Sequence, residues 1–348
     1  STAIDRYTEE QFLVLEMLAG RPRAAIRGCA GSGKTLLAIR KAQQLADEGF
    51  RVLLTCYNRN LGEELNRSVG KRARLKVRTF HGLCREYAAR TGYDRQDKWD
   101  ENRDDFFDSV MPEALLEAAT SGDESYRFDA IVADEGQDFS PSWWAALELL
   151  LADPKSGVFY IFYDDNQLVY PRQLCLPVEE LPFALTVNCR NTQPIFQTLT
   201  GFYRSDLKLR CKGPQGREVG VNLYTDDPVS LRATLTEVLA RLIYAEAVRP
   251  EDVVLLSPGG LEKPPLARLA PPGSFRLVPE RSGNSSEIYS TTIRLFKGLE
   301  SPVVVLLMPP GLEEYNELMY VGISRARNHL EIILEANAAQ KLKGSIKS

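Results

Sequence analysis

Two short stretches of this sequence combine residue types that could do chemistry. In "GCAGSGKT", Gly28 to Thr35, glycines recur among small residues and the run ends on a lysine and a hydroxyl. The spacing fits G-x-x-x-x-G-K-[ST] at each fixed position. Gly28, Gly31 and Gly33, with Ser32 between them, let backbone amides curl around a phosphate. A helix starting there adds positive potential at its N-terminus. Lys34 is then expected to reach the β- and γ-phosphates of ATP, and the Thr35 hydroxyl to bind Mg²⁺. In "IVADEGQDFS", Ile131 to Ser140, an apolar strand pattern runs into Asp134 and Glu135 side by side. Like charges at a strand end repel, so the stretch is either a solvated turn or a cation site. The phosphate loop upstream favours the site. Asp134 is expected to bind Mg²⁺ through its water, and Glu135 to polarise the attacking water as general base.

Positioning such groups takes strands that end where helices begin. Strand-like runs alternate with helix-like ones through most of the sequence, which predicts an α/β protein with parallel sheets. "RAAIRG", "RVLLTCY", "DAIVAD" and "GVFYIFY" read as strands. "RNLGEELNRSV" and "PSWWAALELLLA" read as helices, the latter opened by Ser140 and Pro141. A second series starts near residue 185, with "DVVLLS", "SPVVVLLM" and "HLEIILE" as strands. "SLRATLTEVLARLIYAEA" and "LEEYNELMYVGISRAR" read as helices. The charged stretch "DRQDKWDENRDDFFD" reads as a mostly solvated face, and the Pro- and Gly-rich run after Ser257 as loop. The chain has 348 residues, more than one core usually covers. Two domains, 1–185 and 186–348, are therefore expected.

Composition narrows the class. Hydrophobic residues make up 44% and charged residues 26%, ordinary for a globular protein. No apolar run approaches the roughly 20 residues of a membrane span, and no basic-then-apolar leader opens the sequence. Six cysteines without a CxxC pair and only two histidines disfavour a zinc site and suit reduced thiols in a cytoplasmic protein. The net charge is −4, so contact with nucleic acid must come from local patches. The first residue is Ser1, so a piece of a longer protein, or a trimmed form, is expected.

The motifs go further than a phosphate loop. "ADEGQD" resembles the DExQD box of UvrD/Rep-type superfamily 1 helicases, and other boxes of that family follow in order. "YTEEQ" resembles its adenine-reading motif, with Gln11 as base contact. "LLTCYNRNLGEEL" and "VRTFHGLC" resemble its two strand-binding motifs. "IFYDDNQLVY" resembles motif III, in which Gln167 would sense the γ-phosphate. "LTVNCRNTQPI" resembles motif IV and offers Arg190. "TTIRLFKGLES" resembles motif V, with Gly298 and Glu300 near the nucleotide. "YVGISRARNHL" resembles motif VI and offers Arg325. The resemblance implies two RecA-like domains of a P-loop NTPase, with an ATP site at their interface. The first would bring Lys34, Thr35, Asp134, Glu135 and Gln167, and the second Arg190 and Arg325. Such arginines are worth roughly 10³–10⁵ in rate.

The sequence departs from that pattern in four places. Cys189 stands where an aromatic would stack on adenine. Tyr163 replaces a glycine of motif III, and "YPRQLCLP" follows without the usual tryptophan. Arg294 stands where motif V carries histidine, and suits a phosphate contact. Inserts are short: about fifty residues separate His81 from the DExQD box, and about a hundred separate motifs IV and V.

Single strands are held by aromatic stacking and basic grooves. Tyr57, Asn58, Thr79, Phe80, His81 and Arg294 are the candidate contacts, with the basic run Lys71 to Arg78 beside them. Trp143 and Trp144 are expected to be structural, as is His329. The expected activity is that of an ATP-dependent translocase or helicase, hydrolysing ATP to ADP and phosphate when stimulated by single-stranded DNA. RNA stays open as the strand, and a nuclease-related or accessory domain or partner protein is expected alongside. The alternative is a nucleotide-gated sensor or regulatory module that separates no strands.

Overall fold

In the computed structural model the described residues are 9–97, 99–121, 123–167, 175–225, 227–261, 263, 266, 276–280 and 286–337. Tyr7 and Thr8 of the first motif, residues 168–174 after motif III and most of the Pro- and Gly-rich run lie outside them. The chain divides into two units, Ser1–Thr186 and Val187–Ser348.

The first unit is organised by six strands: Arg23–Gly28 (β1), Val52–Cys56 (β2), Leu75–Thr79 (β3), Ala130–Ala133 (β4), Val158–Tyr163 (β5) and Phe183–Leu185 (β6). They form one sheet in the order β3-β2-β4-β5-β1-β6, and every pairing is parallel. Strands in such a sheet are covered on both faces, which is why β2 is apolar but for Thr55 and all its residues are buried. Side chains alternate between the faces. Leu53, Ile131, Ala133, Phe159 and Ile161 pack against Phe80–Thr91 (α4), Met111–Thr120 (α5) and Pro141–Leu149 (α6). Val52, Leu54, Val132, Tyr160 and Phe162 pack against Glu9–Leu18 (α1), Lys34–Asp47 (α2) and Arg59–Val69 (α3).

The stretch expected to be a solvated charged face hides an anchor. Phe106 is fully buried and meets Trp99 edge to face, with ring centroids 5.0 Å apart. Its neighbour Phe107 stays half-exposed. Two aromatics supply enough apolar area to pull a charged segment onto the core.

The second unit repeats the plan. Gly220–Tyr224 (β9), Val253–Ser257 (β10), Arg276–Val278 (β11), Glu287–Thr292 (β12), Ser301–Met308 (β13) and Ala326–Glu335 (β14) form an all-parallel sheet, in the order β11-β12-β10-β13-β14-β9. Val187–Asn188 (β7) and Arg210–Cys211 (β8) make a separate two-stranded pair. Pro228–Ala240 (α8) covers one face through Leu231, Leu235, Val238 and Leu239. Gln193–Thr200 (α7) and Tyr315–Ser324 (α9) pack together, and α9 also meets β13 and β14. Two helices differ from their predicted extents. The run after Ser230 leaves α-geometry at Ala240 and closes with a wide π-turn, Arg241–Ala245. The run before Arg325 stops at Ser324, because Ala326 already pairs with Ser301 as the first residue of β14.

Parallel strands put all their C-terminal ends at one sheet edge. In the first unit that edge carries Gly28, Cys56, Thr79, Ala133 and Tyr163, the residues from which each chemical motif departs. Binding sites in open α/β sheets sit outside this edge.

Candidate active site

The phosphate loop leaves β1 and turns into α2. Gly31 and Gly33 have φ of 73° and 88°, left-handed values at which a β-carbon is penalised. A β-carbon on Gly28 would stand 2.6 Å from Ser32 Oγ and 3.0 Å from Leu185 Cβ. Gly33 caps α2 without a side-chain hydrogen bond, which leaves the first helical amides for an anion. Lys34 is buried and donates to the carbonyls of Gly28 (2.8 Å) and Cys29 (2.9 Å). Ser32 Oγ also donates to Cys29 O, at 2.8 Å. Gln11 comes over from α1, and its Nε2 donates to Ser32 O at 2.7 Å. Expected to read a base, its amide nitrogen is set against the loop backbone.

The acidic turn leaves β4. Asp134 is fully buried; its Oδ1 accepts from the Glu135 amide at 3.0 Å. Its Oδ2 is buried without a hydrogen-bond partner among the described residues. Burial first, and the Glu135 charge second, push its carboxyl well above the ordinary range, while the Thr35 hydroxyl and Lys34 pull the other way. An orphaned carboxylate oxygen next to a phosphate-loop threonine fits a divalent cation. No group of three or more His, Cys, Asp or Glu side chains among the described residues could hold a metal alone. That suits Mg²⁺, which is usually bound by one or two protein groups plus substrate phosphates.

Glu135 sits at φ 54°, ψ 45°, a conformation costing a non-glycine residue about 1–3 kcal/mol. The turn is tight behind it, since a β-carbon on Gly136 would meet Ile161 Cγ2 at 2.5 Å. Gln137 steadies the strained residue: its Nε2 donates to Glu135 Oε2 at 2.5 Å, and its Oε1 accepts from the Asp164 amide at 3.0 Å. Gln167 is buried, with its Nε2 donating to Asp164 Oδ2 at 2.8 Å. Lys34, Glu135 and Gln167 are thus brought together. Sequence reasoning passed over Gln137 and Asp164, although both lie inside quoted motifs. Both are buried in the turns that follow β4 and β5.

In the second unit Arg190 follows β7, and its Nε pairs with Glu300 Oε2 at 2.7 Å. Arg327 approaches the other oxygen of Glu300 at 3.3 Å. Gly298, at φ 84°, makes the turn that presents Glu300. Arg325 is buried, bonding Ser324 Oγ and the carbonyls of Val321 and Leu299. Two asparagines unnoticed in the sequence tie this corner together. Asn188 Oδ1 accepts from the Arg190 and Asn191 amides. Asn191 Nδ2 donates to Ser324 O (3.2 Å) and Ala326 O (2.6 Å).

The expected strand contacts divide. Tyr57 and His81 are partly exposed. Tyr57 stacks on Trp143 with centroids 5.6 Å apart, and His81 Nε2 lies 2.9 Å from Phe107 O. Phe80 is corrected to a core residue. It is fully buried and stacked on Trp143 at 4.5 Å, so a base could reach it only by opening the core. Asn58 and Thr79 are N-caps, accepting from Leu61 N and Gly82 N. Arg294 pairs with Glu314, so its guanidinium is already charge-matched. Three members of the basic run are matched as well, Arg72 by Asp47 and both Lys76 and Arg78 by Glu86.

A family model for an AAA domain matches residues 11–172, and one for a UvrD-like helicase C-terminal domain matches residues 287–333. No curated protein matches the chain significantly. Among solved structures, the helicase of PRRSV is similar at 15% identity and a TM-score of 0.50, over 94% of this chain and 56% of that one. An Arterivirus nonstructural protein 10 helicase in complex with DNA gives 14% identity and a TM-score of 0.46, over 94% and 63%. This chain therefore spans 56–63% of the length of these two structures. At such identities the likeness is one of fold.

Proposed function

We propose that this chain, in which an AAA domain model matches residues 11–172 and a UvrD-like helicase C-terminal domain model matches residues 287–333, is a superfamily 1 motor of two RecA-like domains that hydrolyses ATP to ADP and phosphate under stimulation by single-stranded DNA. The observation that carries this reading is the single cluster formed by Lys34, Asp134, Glu135 and Gln167 at the strand edge. Lys34 would bind the β- and γ-phosphates while the loop amides wrap them. Thr35 and Asp134 would hold Mg²⁺, which when bound neutralises phosphate charge. Glu135 takes a proton from the attacking water as that oxygen bonds the γ-phosphorus and the bond to ADP breaks. Gln167 marks the γ-phosphate. Arg190 and Arg325 would stabilise charge on the transferring phosphoryl group, and the proposed domains are 1–185 and 186–348.

Tyr57 and His81 would stack on the strand, with the α3 and α4 N-termini, capped by Asn58 and Thr79, toward its phosphates. Single-stranded DNA is the proposed partner, with RNA as the alternative strand, and an accessory domain or protein would complete a duplex-separating machine. Steady-state ATP hydrolysis with and without single-stranded DNA tests the reading. Arg190→Ala and Arg325→Ala should each keep nucleotide binding within about threefold and lower turnover at least roughly a hundredfold. Hydrolysis that ignores DNA would sink the motor, and intact turnover in both variants would remove the two arginines from the chemistry.

A further inference from the structure

Asp164 lies one residue beyond β5 and is fully buried. Its Oδ2 accepts from Gln167 Nε2 at 2.8 Å and lies 3.5 Å from Lys34 Nζ. Its Oδ1 accepts from the Asn166 amide at 3.1 Å, which closes the turn and fixes the rotamer. Its own amide donates to Gln137 Oε1, and the other end of that side chain holds Glu135. Three groups assigned to phosphate chemistry are therefore supported from one residue.

A buried carboxylate in this place needs a reason. Buried ion pairs are weak sources of stability, because desolvation offsets attraction. The geometry argues the same way here, since Lys34 makes closer contacts with two carbonyls than with Asp164. The short bond is to Gln167. Accepting from Nε2 fixes which end of the Gln167 amide is the donor, and with it the direction in which the carbonyl end can point. The same oxygen faces Lys34 Nζ at 3.5 Å, so one carboxylate oxygen is shared by the lysine and that amide. Burial and Glu135 nevertheless raise the Asp164 carboxyl, against Lys34 and Gln167, so the arrangement is held at a cost. Costly buried polar groups of this kind cluster at functional sites.

We propose that Asp164 is a positioning residue for ATP hydrolysis, keeping Lys34 and Gln167 in register and, through Gln137, tying both to Glu135. It touches no substrate itself. The proposal rests on the ATPase reading above, and its test separates the two.

Asp164→Asn, Gln167→Ala and the double variant are compared by turnover, by KM for Mg-ATP, and by affinity for fluorescent ATP and ADP analogues. Asp164→Asn should lower kcat at least about tenfold with KM within about threefold and ADP affinity unchanged. The double variant should be no slower than the worse single variant within about twofold, because both act through one contact. Additive losses, or parallel falls in melting temperature and ADP affinity, would overturn the positioning role in favour of a structural one. If Asp164→Asn does not fold, Asp164→Glu keeps the charge and displaces it; a kcat change at fixed KM is then expected, and an unchanged kcat overturns the proposal. If the wild-type chain hydrolyses no ATP, the ATPase reading fails. The analogues then decide: Asp164→Asn should lose the wild-type preference for ATP over ADP, and an unaltered preference overturns the role.

Discussion

The two units treat charge in opposite ways. At the strand edge of the first, Asp134, Glu135, Asp138 and Asp164 are all buried, with Lys34 as the buried cation beside them. Even the Cys56 thiol is pushed up, by burial and then by Asp134, Glu135 and Asp138. In the second unit the more deeply buried of two acids, Glu331, is well supported. Glu331 accepts from His329 at 2.7 Å, Arg241 at 2.8 Å and Asn222 at 2.8 Å. Burial alone would raise its carboxyl, but these hydrogen bonds and the charge of Arg241 hold it at about 2. A site proposed to receive a cation and polyphosphate together is left electrostatically unfinished, whereas a scaffold is not. Removing a charge should therefore have opposite consequences in the two places.

The largest expected effect is kinetic and belongs to the unfinished side. Glu135→Gln keeps the shape and the bond to Gln137 but removes the proposed base. Turnover should fall at least about a hundredfold while ATP still binds. Normal turnover would place the base elsewhere.

Next comes the supported side. Glu331→Gln should cost roughly 2–3 kcal/mol of stability at neutral pH, by breaking a buried network of charges. The sign with pH follows from a folded value near 2 against an ordinary 4.5. The stabilisation is fully present above about 4.5 and is lost as pH falls toward 2. Urea unfolding at pH 7 and pH 3 checks this, since the gap between wild type and Glu331→Gln should narrow in acid. A gap independent of pH would mean that Glu331 acts by packing alone.

Asp134→Asn should do the reverse and stabilise the nucleotide-free protein, by about 1 kcal/mol. Because the folded-state carboxyl is raised, the destabilising charge is fully present above the raised value, and its cost shrinks as pH falls from there to the ordinary carboxylate range, where it is gone. The gain should therefore be seen in melting temperature at pH 8 and disappear near pH 4. A destabilised variant at pH 8 would show that the first unit is as well compensated as the second. The smallest effect concerns the base. Cys189→Tyr adds a ring face and should raise the ratio of ATP to GTP turnover by about two- to tenfold; an unchanged ratio would remove stacking from the account.

Local geometry was the legible part of this site. The phosphate loop needs glycines at positive φ, and only a few residue types satisfy that, so Gly31 and Gly33 announce themselves. Parallel strands buried on both faces are equally plain, as β2 and β13 show. Pairing at a distance was not legible. Phe80 is hidden by Trp143, which lies 63 positions later in the sequence. The basic run looked free because Glu86, its main partner, belongs to the next helix. Asp164 and Gln137 were visible as letters, but their value comes from a turn in each of two neighbouring strands. Nothing in the local pattern fixes that meeting.

The last strand of the first sheet has a mechanical consequence. Leu185 O accepts from Cys29 N at 3.4 Å, and a β-carbon on Gly28 would press on Leu185. Leu185 is also two residues from Val187, where the second unit begins. The chain thus leaves its first unit directly alongside the loop that would grip phosphate. Any shift of that loop tugs on the root of the connecting segment through a main-chain bond. Side-chain repacking need not relay the movement, so replacing Leu185 by a smaller residue would leave the main-chain hydrogen bond to Cys29, and with it the tether, in place.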